Sequence, residues 1–525
     1  MSLTLLIGGT RSGKSARAER LAAANGPEVR YVATADGADP AMAGRIEAHR
    51  ERRPADWRTV EAGDDLAEAA AGASCVLVDG LGAWIAGVMH RAGALEDPSR
   101  ERLAGAGDRV EAEIRALVEL SRSVELIIVA EDAGSGLLPP DAASRSWLDL
   151  LGAATQRLAR AAERAELIVA GESIPLRRGG SLIPAAEQEE LRHHGDRELR
   201  PGDADHAVNV LAGGPPPWLR GALDAALERD ARRYPDESAA RAALASLHGR
   251  DPEEIVPTNG AAEALWLLPV ALRPSLAACV HPGFGEAEAA LRAHGVPVAR
   301  VMRDPERSFS LDPAAVPEQA DLVILGNPAS PSGTLDPAAA ILALRRPGRI
   351  VVVDEAFMDL VPGAVPTLVG ERLDDVIVVR SLTKVLAIPG LRAGYAVADA
   401  RLAQRLEAAR PPWSANALAL AALETAARHP HELASIAERA VREREDLVGR
   451  LGEVKGVRTW PSVANFCLLE VEDGDALAAR LRESGIAVRP ASSFPGLDRR
   501  HVRVTARDPA ANARLVAALI DAVER

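Results

Sequence analysis

The chain has 525 residues, 47% of them hydrophobic, which is too many for one hydrophobic core and predicts two to four domains. Its formal net charge of -13 provides no general positive field, so we expect neither nucleic acid nor an anionic membrane as a partner. No apolar run reaches the roughly 18 residues of a membrane span, and no leader-like segment precedes the first strand. We therefore expect a cytoplasmic protein that acts on small molecules.

The three cysteines agree with that location. Cys75, Cys279 and Cys467 lie far apart in apolar contexts, without the spacing of metal ligands. We expect them to pack in the interior as free thiols.

The first 172 residues alternate apolar, strand-like runs with helical stretches. This alternation predicts a parallel sheet with helical crossovers. The strand-like runs are Leu3–Ile7, Val29–Ala33, Cys75–Asp79, Val124–Ala130 and Leu167–Ala170.

A polar, glycine-containing stretch follows and has no sustained apolar period. It predicts a linker over residues 173–205. A second α/β pattern occupies 206–525, with a large domain over about 206–400 and a smaller α+β domain over about 401–525. Its strand-like runs are Leu276–Val280, Asp321–Leu325, Ile350–Val353, Val376–Val379, Asn465–Val471 and His501–Thr505.

A glycine-rich loop follows the first strand. Such a loop points successive N–H groups at phosphate oxygens, and the next helix adds its dipole. Lys14 would neutralise the β- and γ-phosphates, and Ser15 would bind Mg²⁺ with Asp79 as a second partner; the alternative for Asp79 is a helix-capping carboxylate. The predicted nucleotide-binding residues are Gly8, Gly9, Thr10, Arg11, Ser12, Gly13, Lys14 and Ser15.

The segment Tyr31–Glu61 is more specific than the loop. It closely resembles the adenosylcobinamide kinase and adenosylcobinamide-phosphate guanylyltransferase family, and the resemblance covers about 170 residues. In that family a histidine of this segment takes the nucleotidyl group, and His49 is the only histidine here. The resemblance implies ATP or GTP with Mg²⁺ as co-substrate and His49 as nucleophile; the alternative is a solvated histidine on a helix face.

The resemblance weakens toward the end of this domain. The family's Asn-Glu-Val-Gly stretch is replaced by Glu131-Asp132-Ala133-Gly134, and its threonine and asparagine positions hold Gly82 and Gly87. A late arginine of the family is Leu148 here. These changes remove hydrogen-bonding groups, so a domain that binds nucleotide without catalysis is an open alternative.

A lysine after the strand VIVVRS carries the second signature. Pyridoxal phosphate needs a lysine on a short turn after a strand, with phosphate ligands beside it. Lys384 would hold the cofactor, and Asp354 would pair with the ring nitrogen. Asn327 would bond the ring's phenolic oxygen, and Phe284 would stack on the ring. The expected phosphate ligands are Ser381, Arg392 and the N–H groups of Gly260, Ala261 and Ala262.

The order Asn-Pro, Asp-Glu-Ala, Ser-Leu-Thr-Lys resembles the fold-type I aminotransferase superfamily over residues 206–525. The resemblance implies a homodimer with the site at the subunit boundary. Tyr234 would then reach the phosphate of the neighbouring subunit's cofactor, although a loop tyrosine that caps a helix is the alternative.

Within the superfamily, SLTKVLAIPGLRAGY and the segment from Phe494 most resemble threonine-phosphate decarboxylases, relatives of histidinol-phosphate aminotransferase. Arg489, Arg503 and Arg507 would reach the carboxylate and phosphate of a doubly anionic substrate; surface or ion-pair arginine is the alternative for each.

The two resemblances meet in one pathway. Decarboxylation of L-threonine O-3-phosphate gives aminopropanol phosphate, which becomes part of the substrate of the first family. The sequence therefore predicts a bifunctional enzyme of cobalamin biosynthesis, by pathway analogy. A histidinol-phosphate-type aminotransferase fused to a non-catalytic nucleotide-binding domain remains the alternative.

Overall fold

The computed structural model describes residues 2–26, 28–34, 54, 56–133, 138–177, 185–363 and 366–523. The chain divides into two compact units, Met1–Leu182 and Ile183–Arg525.

The first unit is built on a seven-stranded sheet of order β3-β2-β4-β5-β1-β6-β7. All pairs are parallel except β6 with β7. The strands are β1 Leu3–Gly8, β2 Val29–Ala33, β3 Arg58–Glu61, β4 Cys75–Asp79, β5 Glu125–Glu131, β6 Arg164–Val169 and β7 Glu172–Arg177. The described helices are α1 Lys14–Ala23, α2 Leu66–Ala70, α3 Leu81–Arg91, α4 Arg100–Leu120 and α5 Ala142–Ala161.

Both faces of this sheet are buried, which explains why its central strands are continuous apolar runs. Successive side chains of a strand point to opposite faces. Leu5 and Val78 accordingly belong to one hydrophobic core, with Trp84, whereas Leu6 and Leu77 belong to another.

The stretch 173–205, which the sequence predicts as a linker, contains regular structure. Residues 172–177 form the edge strand β7, and α6 (Ala185–Leu191) belongs to the second unit. Residues 172–176 of β7 are exposed, so this strand lacks the continuous apolar run that marks the buried strands in the sequence.

The large part of the second unit has a seven-stranded sheet of order β11-β10-β12-β13-β14-β15-β9. Its strands pair in parallel except β15, which is antiparallel to both neighbours. The strands are β9 Ile255–Asn259, β10 Ala277–His281, β11 Val298–Met302, β12 Leu322–Gly326, β13 Ile350–Asp354, β14 Val376–Ser381 and β15 Ala393–Ala398. The helices are α7 Pro217–Asp230, α8 Ser238–His248, α9 Ala261–Leu272, α10 Glu286–Ala293, α11 Ala338–Leu342, α12 Ala400–Ala409 and α13 Ala417–Ala427.

The small part combines a four-stranded antiparallel sheet, β16-β17-β20-β19, with long helices. Its own core is built from Leu447, Leu469, Val504 and their neighbours. A two-stranded parallel pair, β8 with β18, joins residues 204–205 to this part. The elements are β8 Ala204–Asp205, β16 Arg458–Thr459, β17 Phe466–Glu470, β18 Ile486–Ala487, β19 Arg489–Pro490, β20 His501–Thr505, α14 Pro430–Leu451, α15 Gly474–Glu483 and α16 Pro509–Val523.

This architecture confirms the predicted α/β fold class: a parallel-sheet domain that carries the glycine-rich loop, followed by a large α/β part and a small α+β part. All three cysteines are buried and free, as expected. No helix within the described ranges has both the length and the low charge that a membrane crossing requires.

Candidate functional sites

The glycine-rich loop of the first unit closes on itself at the end of β1. Lys14 Nζ donates to the carbonyl of Gly9 at 3.1 Å. Gly13 has φ 95°, and a Cβ there would lie 3.2 Å from the Cα of Gly171. A side chain at position 13 is thus disfavoured both by the left-handed backbone and by the close approach of Gly171.

Ser15 and Asp79, the predicted Mg²⁺ partners, lie together. Ser15 Oγ donates to Asp79 Oδ1 at 3.0 Å, and the Tyr31 hydroxyl donates to Asp79 Oδ2 at 2.7 Å. Asp79 is the last residue of β4, and Ser15 lies in the first turn of α1, which follows β1 after the glycine-rich loop. Both side chains therefore lie at the edge of the sheet where the parallel strands β1 and β4 end. A hydroxyl beside a carboxylate is an oxygen donor set that suits Mg²⁺.

Two of the positions that depart from the family, Gly82 and Glu131, are in contact with each other. The N–H of Gly82 donates to Glu131 at 2.6 Å, and Trp147 Nε1 donates to the Gly82 carbonyl at 2.9 Å. A Cβ at position 82 would lie 2.6 Å from Glu131 Oε2 and 2.9 Å from the Trp147 ring. The glycine, the carboxylate and the indole therefore depend on one another. His49 lies outside the described residues.

The second unit contains a cavity of about 660 Å³ at the carboxyl ends of β12, β13 and β14. Its lining includes seven of the predicted cofactor and catalytic residues together with two of the predicted substrate arginines. They are Ala261, Ala262, Phe284, Asp354, Ser381, Lys384, Arg392, Arg489 and Arg503, of which Lys384 is the predicted catalytic residue.

Lys384 lies in the turn that follows β14. Its Nζ donates to Ser381 Oγ at 3.1 Å and stands 5.7 Å from the centroid of the Phe357 ring. Burial lowers the pKa of Lys384 to about 8; the Asp354 charge opposes this shift and the Arg392 charge adds to it. A lowered pKa makes the neutral, nucleophilic amine available near neutral pH.

Asp354 ends β13 on the same cavity. Burial raises the pKa of this carboxyl, and the Lys384 ammonium opposes the shift. Its Oδ1 accepts a hydrogen bond from the N–H of Ala356 at 3.1 Å. A buried carboxylate of this kind is stabilised by a protonated partner, such as a pyridinium nitrogen.

A positively charged cup lies at the start of α9. Gly260, the N-cap, has φ 77° and no side-chain cap, and a Cβ there would lie 2.6 Å from Arg392 Nη2. Ser381 is buried beside it, with its hydroxyl 2.8 Å from that of Thr383. A helix N-terminus with a guanidinium and hydroxyls suits a phosphate group.

Asn327 directly follows β12 and is fully buried. Both the oxygen and the nitrogen of its side-chain amide are hydrogen-bonded within the protein. Oδ1 accepts from the N–H of Asp336 at 2.7 Å, and Nδ2 donates to the Asp336 carbonyl at 3.2 Å. Because an amide nitrogen carries two hydrogens, these bonds use one of its two donors.

Arg489 and Arg503 bring two buried guanidinium groups to the cavity. Arg503 donates to Ser330 Oγ at 3.2 Å and to the Ala207 carbonyl at 2.8 Å. Burial lowers the pKa of Arg503, and the positive charge of Arg489 lowers it further. An anion in the cavity would relieve this repulsion.

Four predicted site residues of the second unit are absent from the cavity lining: Gly260 and Asn327, whose contacts are given above, and Arg507 and Tyr234. Arg507 binds the carbonyls of Asp205, Val208 and Val210, and its Nη2 lies 3.1 Å from Asp205 Oδ2. The prediction of substrate binding by Arg507 is not supported by this placement, because its donors already bind the main chain of residues 205–210 within the second unit. Tyr234 is 76% exposed and stacks on Trp413 with ring centroids 4.3 Å apart.

Residues 190–196, inside the predicted linker, also line the cavity, and sequence reasoning missed them. His194 Nε2 lies 2.7 Å from Glu286 Oε1, and the His194 ring lies 5.5 Å from that of Phe284. Glu286 also accepts from Trp266 Nε1 at 2.7 Å. The adjacent pair His193-His194 in a charge-rich stretch was the available signal.

Comparisons with known proteins divide the chain in the same way. Residues 4–176 match the family described as cobinamide kinase / cobinamide phosphate guanyltransferase, and residues 205–519 match aminotransferase class I and II. A Mycobacterium tuberculosis protein named histidinol-phosphate aminotransferase is 43% identical over 322 residues, which are 60% of this chain and 87% of that protein.

Two further relatives carry the name of a decarboxylase. Threonine-phosphate decarboxylase of Salmonella typhimurium is 32% identical over 329 residues, 60% of this chain and 90% of that protein. The crystal structure of L-threonine-O-3-phosphate decarboxylase from Porphyromonas gingivalis aligns with a TM-score of 0.56 at 28% identity, covering 61% of this chain and 99% of that one.

The predicted resemblances are confirmed by these matches. The first region is similar to the cobinamide kinase and guanyltransferase family. The match over residues 205–519 spans more than half of the chain, and this protein therefore belongs to the aminotransferase class I and II family.

Proposed function

We propose that the second unit is a pyridoxal phosphate enzyme that decarboxylates L-threonine O-3-phosphate to aminopropanol phosphate. The observation that carries this proposal is one cavity in which Lys384 and Asp354 lie with two buried arginines, Arg489 and Arg503. A substrate with a carboxylate and a phosphate needs a cation for each group, and guanidinium groups bind both bidentately.

The residues of the cavity fit the cofactor. Lys384 would hold it covalently, Asp354 would face the ring nitrogen, and Asn327 would donate its second amide hydrogen to the ring oxygen. The cup formed by Gly260, Arg392 and Ser381 would bind the phosphate, with the N–H groups of Ala261 and Ala262. Phe284, which is 37% exposed at the cavity lining, would stack on the ring. When bound, the cofactor supplies an electron sink for a bond broken at the substrate Cα.

The protein's own residues complete the reaction. The bond between Cα and the carboxylate breaks, carbon dioxide leaves, and the electron pair remains at Cα. Lys384, released from the cofactor by the substrate amine, would deliver a proton to Cα; the lowered pKa of its amine suits this exchange.

A histidinol-phosphate-type aminotransferase is the second candidate, and the 43% identity to a protein of that name favours it. The two activities separate in one experiment. Threonine phosphate is supplied with and without 2-oxoglutarate, and histidinol phosphate with 2-oxoglutarate. Release of carbon dioxide that does not depend on the oxo acid supports decarboxylation, whereas amino transfer from histidinol phosphate supports the alternative.

For the first unit we propose nucleotide-dependent phosphorylation and guanylylation of adenosylcobinamide, so that the whole chain serves cobalamin biosynthesis. Lys14 would bind the phosphates of ATP or GTP, Ser15 and Asp79 would hold Mg²⁺, and His49 would accept the nucleotidyl group. The match over residues 4–176 and the contact between Ser15 and Asp79 support this proposal.

The contact between Glu131 and Gly82 motivates the alternative of a binding domain without catalysis. GTP labelled at the α-phosphate tests it. A covalent adduct that is lost in His49→Ala supports transfer; nucleotide binding without an adduct supports the alternative.

We also propose that the protein is a homodimer through its second unit. Tyr234 and Trp413 form a stacked aromatic pair that is mostly exposed in one chain, and tyrosine and tryptophan are enriched at interfaces. In the dimer, Tyr234 would reach the partner's cofactor phosphate. Sedimentation of the wild type and of Tyr234→Ala/Trp413→Ala measures the assembly; a monomeric wild type contradicts it.

A further inference from the structure

Two aromatic rings lie between the amine of Lys384 and the guanidinium of Arg503. Lys384 Nζ lies over the Phe357 ring, 5.7 Å from its centroid. Arg503 Cζ lies over the Phe466 ring, 5.4 Å from its centroid. The two rings meet edge to face, with centroids 5.0 Å apart and an angle of 78° between their planes. Each cation therefore faces a ring, and the two rings contact each other.

Strand pairing in the small part explains the contact at the arginine. Phe466 begins β17 and lies opposite Thr505 of β20, whereas Leu468 of β17 lies opposite Arg503. Phe466 and Arg503 are thus diagonal neighbours on one face of an antiparallel pair, a distance that aromatic and long side chains span. Phe466 is fully buried, so packing fixes the place of its ring.

Phe357 belongs to the large part and lies on the cavity itself. It follows Asp354 by three residues. Phe357 lines the cavity together with Lys384 and Arg503, whereas Phe466 is absent from the described lining. The ring pair therefore joins the part that carries the predicted catalytic lysine to the part that carries the predicted substrate arginine.

The hydrogen bonds of Arg503 leave one side of its guanidinium to the Phe466 ring. The two terminal nitrogens donate to Ser330 Oγ and to the Ala207 carbonyl. Nε is buried without a hydrogen-bond partner among the described residues. The face of an aromatic ring carries partial negative charge and attracts a desolvated cation, and an edge-to-face pair holds its two faces in a fixed relation. The Phe466 ring is therefore suited to orient this guanidinium.

We propose that Phe357 and Phe466 are positioning residues, which set the place of the Arg503 guanidinium relative to the Lys384 amine. In the proposed reaction the substrate amine takes the place of the Lys384 amine, and Arg503 binds an anionic group of the same molecule. The ring pair then determines how far apart the amine and the anion of a substrate must lie. This inference rests on the proposed pyridoxal phosphate site.

Phe466→Leu tests the arginine end with a change outside the cavity lining. It keeps an apolar side chain but removes the ring face beside Arg503, so we expect KM for threonine phosphate to rise about tenfold while kcat stays within about twofold. Phe357→Leu should raise KM about threefold, because Phe466 loses the ring that holds it. Phe357→Tyr keeps that ring and should leave KM within about twofold of wild type. The double variant Phe357→Leu/Phe466→Leu is expected to be no worse than Phe466→Leu, because the rings act as one unit.

The amine end has a readout that needs no substrate. Protein without cofactor captures added pyridoxal phosphate at a rate that rises with pH through the pKa of the Lys384 amine. A ring face favours the charged ammonium, so we expect Phe357→Leu to move the midpoint of this profile down by about half a pH unit. Phe466→Leu should move it down by about a quarter of a unit, because it releases the Phe357 ring. Asp354 and Arg392, the charges that act on Lys384, are the same in every variant.

Phe309→Leu is the matched control for Phe466→Leu. Phe309 is also fully buried and meets an aromatic side chain of the small part, Trp460, with centroids 5.1 Å apart and an angle of 62°. Neither Phe309 nor Trp460 belongs to the described lining of the cavity. We expect this change to lower stability as Phe466→Leu does, but to leave KM and the capture profile unchanged.

The proposal is overturned by a wild-type KM in Phe466→Leu, by additive KM changes in the double variant, by a Phe357→Tyr protein no better than Phe357→Leu, or by an equal KM increase in Phe309→Leu. A capture profile that Phe466→Leu leaves in place would also overturn it, because the two rings would then act separately. A wild-type protein that captures no pyridoxal phosphate would overturn the proposed function, and this inference with it. Capture without these shifts would overturn this inference alone.

Discussion

The two units each place a glycine in a left-handed conformation at the start of a helix, but they assemble the rest of the anion site differently. Gly13 and Lys14 are neighbours, so the first cup is built from one contiguous loop. The second cup sets Gly260 against Arg392, which lies more than 130 residues later in the chain. An anion site whose residues are adjacent in the chain can be identified from a sequence motif. A site whose residues are far apart in the chain depends on the fold to bring its cation into place.

The difference extends to burial. Lys14 has its Nζ bonded to the main chain of its own loop, whereas Lys384 lies in a cavity whose burial lowers its pKa to about 8. The position of the first lysine suits it to phosphate binding, and that of the second suits it to covalent chemistry. Substitution of the first lysine should therefore weaken nucleotide binding, whereas substitution of the second should abolish covalent attachment of the cofactor.

The largest effect is expected for Lys384→Ala. Loss of the amine removes both the covalent link to the cofactor and the proton donor, so we expect decarboxylation to fall by roughly 10³-fold or more. The visible band of the cofactor should disappear from the absorbance spectrum.

Lys455→Ala, which changes an exposed lysine of the same unit, is the control and should retain both band and activity. Nucleotide binding by the first unit should be the same in both variants. A Lys384→Ala protein with a wild-type spectrum would contradict the covalent role.

The substrate arginines give the next largest effect. Arg503→Met removes a cation from the cavity wall, so we expect kcat/KM for threonine phosphate to fall roughly 100-fold, as for loss of a charged hydrogen bond in a buried site. Steady-state kinetics with and without added guanidinium ion would measure the loss and its rescue.

Arg507→Met is the matched change outside the cavity. We expect KM to stay within about twofold of wild type, but the free energy of unfolding to fall by roughly 2 to 4 kcal/mol, because several carbonyls lose their donor. A large increase in KM for Arg507→Met would restore the sequence prediction that the structure did not support.

Arg503 and Arg507 show that the sequence predicted the strand near them but not which of the two reaches the cavity. The β-strand pattern of β20, with alternate residues on one face, is evident in HVRVT, and that strand was predicted with its observed bounds. Which arginine near it reaches the cavity depends on the return of residues 204–210 along the small part, and no local pattern encodes that path. Arg503 and Arg507 therefore could not be distinguished beforehand.

Strands β9 and β11 were not predicted from the sequence, for a related reason. β9 contains Pro257 and ends in Thr258-Asn259, and β11 is VARVM with Arg300 in the middle. These residues lower the apolar signal, yet Thr258 is fully buried and Arg300 is held by Glu288 and Glu187. Tertiary contacts supplied the partners that the local sequence lacks.

Gly13 and Gly260, the glycines of the two proposed anion sites, allow a direct comparison of the units. We expect Gly13→Ala to weaken nucleotide binding and Gly260→Ala to weaken cofactor binding, each roughly tenfold. In both cases the added methyl group meets a neighbour and a left-handed backbone at once. Equilibrium binding to the purified protein measures both.

Each variant has a control glycine that also has a positive φ but is surrounded by open space. Gly26 and Gly202 have φ 112° and 93°, and an added Cβ would meet no atom within 4 Å. If Gly26→Ala or Gly202→Ala weakens binding as much as its partner variant, strain alone accounts for the effect and the close approach does not.

The smallest expected effect is a pH dependence of cofactor capture by protein from which the cofactor has been removed. Only the neutral amine of Lys384 attacks an aldehyde, and its fraction rises with pH through the amine's pKa. With a pKa of about 8, the rate should rise about fivefold between pH 7 and 8 and less than twofold between pH 8 and 9. An amine with the ordinary pKa of 10.5 would instead gain about tenfold at each step. Parallel capture by N-acetyl-lysine corrects for ionisation of the cofactor itself. Because Asp354 opposes the lowered pKa, Asp354→Asn should move the plateau to still lower pH, and a plateau that stays in place would show that the two side chains are not coupled.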